Sequence, residues 1–161
     1  MPTRLDDISP MSNADVLMTI EGLPGYWTEF SGIVKKFNRP KYSDGLSNTK
    51  RTAMSGSIEY DDVTIAKPHD PEKDDAVIEF LKARECGSPF DMTIRPVKRC
   101  KGVEFRGNKS WNLSGCRVLE WKLMEDLDTA DGEDITKITI VFSVEDAVWG
   151  GAKSPKPAIN L

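Results

Sequence analysis

Residues 110–124 carry the strongest pattern in the chain, with apolar side chains at Trp111, Leu113, Leu119, Trp121 and Leu123. That row is interrupted by Gly115 and Arg117, and Asn112, Ser114, Glu120 and Lys122 alternate with it. Residues 135–145 repeat the alternation, with Ile138, Ile140, Phe142 and Val144 set against Lys137, Thr139 and Ser143. A period of two predicts strands with one buried and one wet face. The link between them, 125–134, is E-D-L-D-T-A-D-G-E-D. Two such strands joined by Asp and Gly residues predict a long antiparallel ribbon. Fifteen residues exceeds the usual strand of about five or six, so the sheet must curl or project.

The same pattern, taken from the start, predicts a strand over 15–21 with Val16, Met18 and Ile20 on one side. Gly22-Leu23-Pro24-Gly25 is turn chemistry, and a strand over 26–35 completes an expected hairpin. Residues 36–55 show no convincing period and read as a long polar loop, solvated or docked on a neighbour. Residues 56–66 predict a strand whose alternation changes phase at Asp61-Asp62, the mark of a β-bulge. Asp70-Pro71 predicts a helix start, with Asp70 as N-cap. Glu72, Asp74 and Asp75 suit the first turn. Ala76, Val77, Phe80 and Leu81 form the apolar stripe, and Gly87 terminates a helix of about 71–86. Residues 90–97 predict an edge-like strand, because of Pro96, and 103–105 a short one. The expected fold is therefore mainly β: an antiparallel β-barrel or sandwich with one flanking α-helix, a long loop and extended termini. The domain reading is an N-terminal arm at 1–14, a barrel at 15–149 and a C-terminal tail at 150–161.

Composition narrows this further. In a chain of 161 residues, 39% hydrophobic and 30% charged side chains describe a folded globular domain. No apolar run nears the ~20 residues of a membrane helix, and the first residues lack the apolar centre of a signal peptide. Cys86, Cys100 and Cys116 lack C-x-x-C spacing and read as reduced thiols. A net charge of −4 argues against tight phosphate-backbone binding. The single histidine, His69, sits among Asp70, Asp74 and Asp75, but capping and the helix dipole account for those acids better than a metal does. The acidic link lacks EF-hand spacing, and no phosphate-binding or nucleophile-elbow motif is present. Basic residues with interleaved aromatics at 35–42 (K-K-F-N-R-P-K-Y) suit either a nucleic-acid platform or a subunit-contacting loop. Trp27, Trp111, Trp121 and Trp149 read as core or interface anchors. No catalytic, metal or cofactor site is expected.

In W-N-L-S-G-C-R-V-L-E-W at 111–121, the acidic link and I-T-K-I-T-I-V-F-S-V-E at 135–145, the chain resembles the tail tube proteins of contractile-tailed bacteriophages. Tailocin tubes and the Hcp rings of type VI secretion are relatives of that family. The order of elements before the ribbon fits as well. The resemblance implies a structural, non-enzymatic subunit forming hexameric rings that stack into a hollow tube inside a contractile sheath. DNA would pass through without specific binding. The partners implied are further copies of the chain, the tail sheath protein, and baseplate and tail terminator proteins, in a virion assembled in the host cytoplasm. Lys36, Arg39, Lys41, Lys50 and Arg51 would then contact the next ring, pairing with acids such as those of 125–134. Glu120, Asp126, Asp128, Asp131 and Glu145 become candidate lumen or inter-subunit acids, repelling phosphate so that DNA slides. The readings kept beside it are an Hcp or tailocin tube, and a soluble β-sandwich binding module.

Overall fold

A computed structural model describes residues 10–23, 25–43, 45–46, 48–99, 101–125 and 127–151. The strands are β1 (Val16–Ile20), β2 (Glu29–Phe30), β3 (Lys35–Asn38), β4 (Lys41–Tyr42), β5 (Arg51–Thr52), β6 (Ser57–Tyr60) and β7 (Val63–Pro68). Then come the helix α1 (Asp75–Ala83), β8 (Phe90–Lys98), β9 (Glu104–Phe105), β10 (Lys109–Leu123), β11 (Lys137–Ser143) and β12 (Asp146–Gly151). The main sheet is antiparallel in the order β1-β8-β10-β11-β7-β2, with β12 on β10 and β9 on β8. It curls until its two ends meet at a single bridge, Met18 to Trp27. The hairpin expected from 15–35 shrinks to that bridge: β1 instead pairs β8, and β2 pairs β7.

β10 spans fifteen residues, as its alternation predicts. Its facing is less simple. Trp111 and Leu113 lie on the core face, opposite Ile94 and Met92. Past a register shift the core side chain is Cys116, opposite Phe90. A second shift falls between Val118, opposite Phe142, and Glu120, after which Trp121 and Leu123 return to the core face. Two bulges thus change the parity at Gly115 and restore it at Leu119, which is left exposed. Gly115 has φ +64°, a left-handed conformation costly for any other residue, and a Cβ there would strike the Glu145 side chain.

β11 and β12 together run antiparallel to the whole of β10, with a break at 144–145. β12 is a strand the alternation does not announce, and it takes in Gly150 and Gly151. β8 is interior, not an edge. Val97 donates its N–H to Asp15 on the β1 side, so the donor-less nitrogen of Pro96 faces the other side, past the last β10 pair at Ile94. The phase change at Asp61-Asp62 is the passage from β6 in one sheet to β7 in another, not a bulge within one strand.

The core is filled by Ile65, Met92, Leu113, Ile138, Ile140 and Phe142, all fully buried. α1 closes it with Val77, Phe80 and Leu81, while Ala76 stays exposed. Phe80, Phe90 and Phe142 make edge-on contacts at 5.3 and 5.2 Å. The helix begins at Asp75 rather than Pro71, with Asp74 as N-cap. Asp70 forms the preceding turn: its carboxylate accepts the Glu72 N–H at 3.0 Å. Asp74 does not cap a helical N–H with its side chain. Its buried carboxylate instead accepts from the Asp70 N–H (2.9 Å), Lys67 Nζ (3.0 Å) and His69 Nδ1 (3.0 Å).

Candidate assembly interface

Residues 35–60 are an arm, not a structureless loop. β3 pairs β6 at its base, β4 pairs β5 toward its tip, and Ala53 donates its N–H to Pro40 between the two ladders. Gly56 permits the crossing, since a Cβ there would collide with the Asn38 carbonyl. Sequence periodicity misses these ladders because neither face is buried: β3 through β5 are exposed at every position. The alternation that marks a half-buried strand has no cause here.

The arm gathers the five expected cations. Lys36 pairs with Asp61 at 2.9 Å, a hydrogen bond and charge attraction that raise its pKa. Arg39 lies over the Phe37 ring at 5.1 Å. Lys41, Lys50 and Arg51 are exposed around the β4–β5 ladder. With them come apolar side chains open to solvent: Phe37 and Ile58, paired across the arm, with Leu46 99% and Met54 96% exposed.

The expected acids divide. Glu120 projects from the sheet face opposite the core, and Lys122 lies between it (3.8 Å) and Glu125 (3.5 Å). Asp128 and Asp131 fold the acidic link by accepting the N–H groups of Ala130 (3.0 Å) and Glu133 (3.2 Å). Asp126 lies outside the described residues. Glu145 is remote from that link. It pairs with Arg117, which also donates to the Gly87 carbonyl at 3.2 Å, tying the mid-ribbon break to the end of α1.

Two surfaces escape the sequence reading. One is an apolar groove of about 840 Å³ lined by Met11, Val16, Phe30, Ile33, Tyr60 and Trp111. Beside it Trp111 and Trp149 pack at 5.4 Å, both well exposed. The other is the basic β8–β9 hairpin. Trp27, by contrast, is buried beneath Lys67. The His69 cluster offers no opening for a metal, because the Asp74 carboxylate is already held by the Lys67 ammonium. Among the described residues, no group of three or more His, Cys, Asp or Glu side chains is arranged to hold a metal ion.

This arrangement of sheet, helix and arm superposes on solved structures from contractile injection systems and a phage tail tube. The cryo-EM structure of the anti-feeding prophage cap, the tube terminating cap, superposes with a TM-score of 0.72 at 21% identity, covering 94% of this chain and 100% of that one. The sheath–tube complex of an extracellular contractile injection system, PVC, in its extended state gives 0.68 at 17% identity, again over 94% and 100%. The SPP1 tail tube gives 0.60 at 10% identity, over 90% and 81%. The chain has the tail-tube fold. No protein-family model matches the sequence, and no curated protein matches it. At these identities the tail-tube fold is carried by arrangement, not by letters. The exposed arm, the half-exposed tryptophans and the groove are the molecule's apolar surfaces open to solvent.

Proposed function

We propose that this chain is the structural, non-enzymatic subunit of the inner tube of a contractile particle. Copies close into six-membered rings, and the rings stack inside a sheath between baseplate and terminator proteins. One observation carries the reading: an arm that exposes Leu46, Met54, Phe37 and Ile58 has no reason to exist in a lone subunit. Docked on a neighbouring copy, the same side chains become an interface core rimmed by Lys36, Arg39, Lys41, Lys50 and Arg51. The contact is heterologous, arm onto body, and such contacts close into rings or grow into filaments. Glu120, on the sheet face away from the core, is the acid placed to line a channel. Asp128 and Asp131 belong to contacts between subunits, and Glu145 stays committed to Arg117. Lys122 shares that face with Glu120, so the pair presents no net positive charge to phosphate, which suits DNA passing through a phage tail without sticking. Of the expected arm and tail, residues 1–9 and 152–161 lie outside the described residues, and Gly150 and Gly151 belong to β12.

A second reading is a tube of a contractile injection system that carries no genome. It is favoured by the higher TM-scores of the prophage cap and PVC structures than of the SPP1 tube. Particles containing this subunit hold packaged DNA in the first case and none in the second. Assembly itself is tested with purified protein. Electron microscopy at high concentration is expected to show rings or tubes, and the double reversal Lys50→Glu, Arg51→Glu to abolish tube growth with the circular dichroism spectrum unchanged. A concentration-independent monomer, or normal-length tubes from the double variant, overturns the proposal.

A further inference from the structure

The β8–β9 hairpin and the start of β10 hold Arg95, Lys98, Arg99, Lys101, Arg106 and Lys109 within fifteen residues, against one acid, Glu104. In a chain of net charge −4 this is a concentrated positive pole. It is also preformed. Arg95 stacks on Phe105 at 3.6 Å, and Arg99 donates to the Val16 carbonyl at 3.2 Å, fixing the hairpin to β1. Val103 and Phe105 stand exposed beside the charges, at 58% and 55%.

The opposite end of β10 has the complementary character. Residues 125–134 contain six acids and no base. A concavity of about 500 Å³ lies there, with Asp128, Asp131, Glu133 and Asp134 and two exposed apolar side chains, Leu127 and Ile135, in its wall. The nearby cations neutralise only its rim: Lys137 is drawn to Glu29, and Lys122 reaches Glu125 alone of these acids while shared with Glu120. Fifteen residues of strand at about 3.3 Å each separate the two poles by roughly 45 Å, less what the curl removes. Each subunit thus has a basic projection at one end of its longest strand and an acidic hollow at the other.

We propose that the β8–β9 hairpin of one copy seats in the acidic concavity of a second copy stacked end to end with it, Val103 and Phe105 meeting Leu127 and Ile135. The inference rests on the tube reading and names its stacking contact. The arm is the competing candidate for these acids: Lys36 is held by Asp61 and Arg39 by Phe37 within its own subunit, which leaves it Lys41, Lys50 and Arg51, and charge reversal in the hairpin tells the two apart. The contact gives stacking a direction, since like ends repel, and it makes growth depend on salt.

The test is charge reversal and its rescue in the full chain. Lys98→Glu with Lys101→Glu, and separately Glu133→Lys with Asp134→Lys, which spare the turn-forming carboxylates of Asp128 and Asp131, are expected to raise the concentration needed for tubes about tenfold or more, leaving circular dichroism and ring formation unchanged. Equal mixtures of the two variants are expected to form mixed stacks that neither forms alone. Tubes from either variant at the wild-type concentration, or no rescue on mixing, overturn the stacking contact while leaving the tube reading intact. Wild-type protein that forms neither rings nor tubes removes both.

Discussion

At the scale of single residues, Asp74 concentrates the most electrostatics. Burial alone would raise its carboxyl pKa; the Asp70 N–H, Lys67 and His69 outweigh that and hold it below its ordinary 3.8. A carboxyl depressed by folding contributes stability above its ordinary value, and that contribution is lost as pH falls through 3.8 toward the folded value. Asp74→Asn leaves the Lys67 ammonium nearly buried without its counter-charge, and is expected to cost about 3–5 kcal/mol at neutral pH. The variant should also show a shallower loss of stability below that carboxylate range. Urea melts at several pH values measure both, and identical acid slopes for variant and wild type would refute the role given to Asp74. The sequence reading cannot find this cluster. It assigns Asp70 the cap, since Asp-Pro is a common helix start, whereas the capping position falls four residues later, where the carboxylate also meets a lysine from β7.

Among the elements, those with one buried face were legible and those without were not. β10 and β11 announce themselves because Leu113, Ile138, Ile140 and Phe142 bury completely, which imposes a period of two. The arm ladders carry no such imposition, and β12 is spelled D-A-V-W-G-G, with glycines that read as a chain end. The acids expected to act together separate for a related reason: Glu145 and Asp128 share composition, but the break in the ribbon puts the first against α1 and the second at a tip. That break depends on one residue. Gly115→Ala forces a left-handed alanine, at about 1–2 kcal/mol, and displaces Glu145 from Arg117. Thermal melts should drop accordingly, and hydrogen exchange should quicken at 114–117 and 145–147. Unchanged exchange there would mean that the bulge does not need glycine.

For the molecule as a whole, the proposed assembly is best tested where its tryptophans sit. Trp27 is 4% exposed inside the curl, whereas Trp111, Trp121 and Trp149 are 37%, 40% and 44% exposed. Indole rings are costly to leave in water and are enriched where surfaces meet. All three lie on the β10 ribbon or its β12 partner, so a neighbour that covers this ribbon must dry them together. Emission at low concentration is then dominated by solvated indoles. On raising concentration it should shift to the blue in step with the polymer fraction measured by sedimentation. Replacing Trp27 by Phe should leave that shift in place, while Trp111→Phe with Trp149→Phe should remove most of it. An emission maximum that stays fixed while tubes form would place the ribbon outside every interface, and the contacts would then have to be carried by the arm and the two charged poles alone.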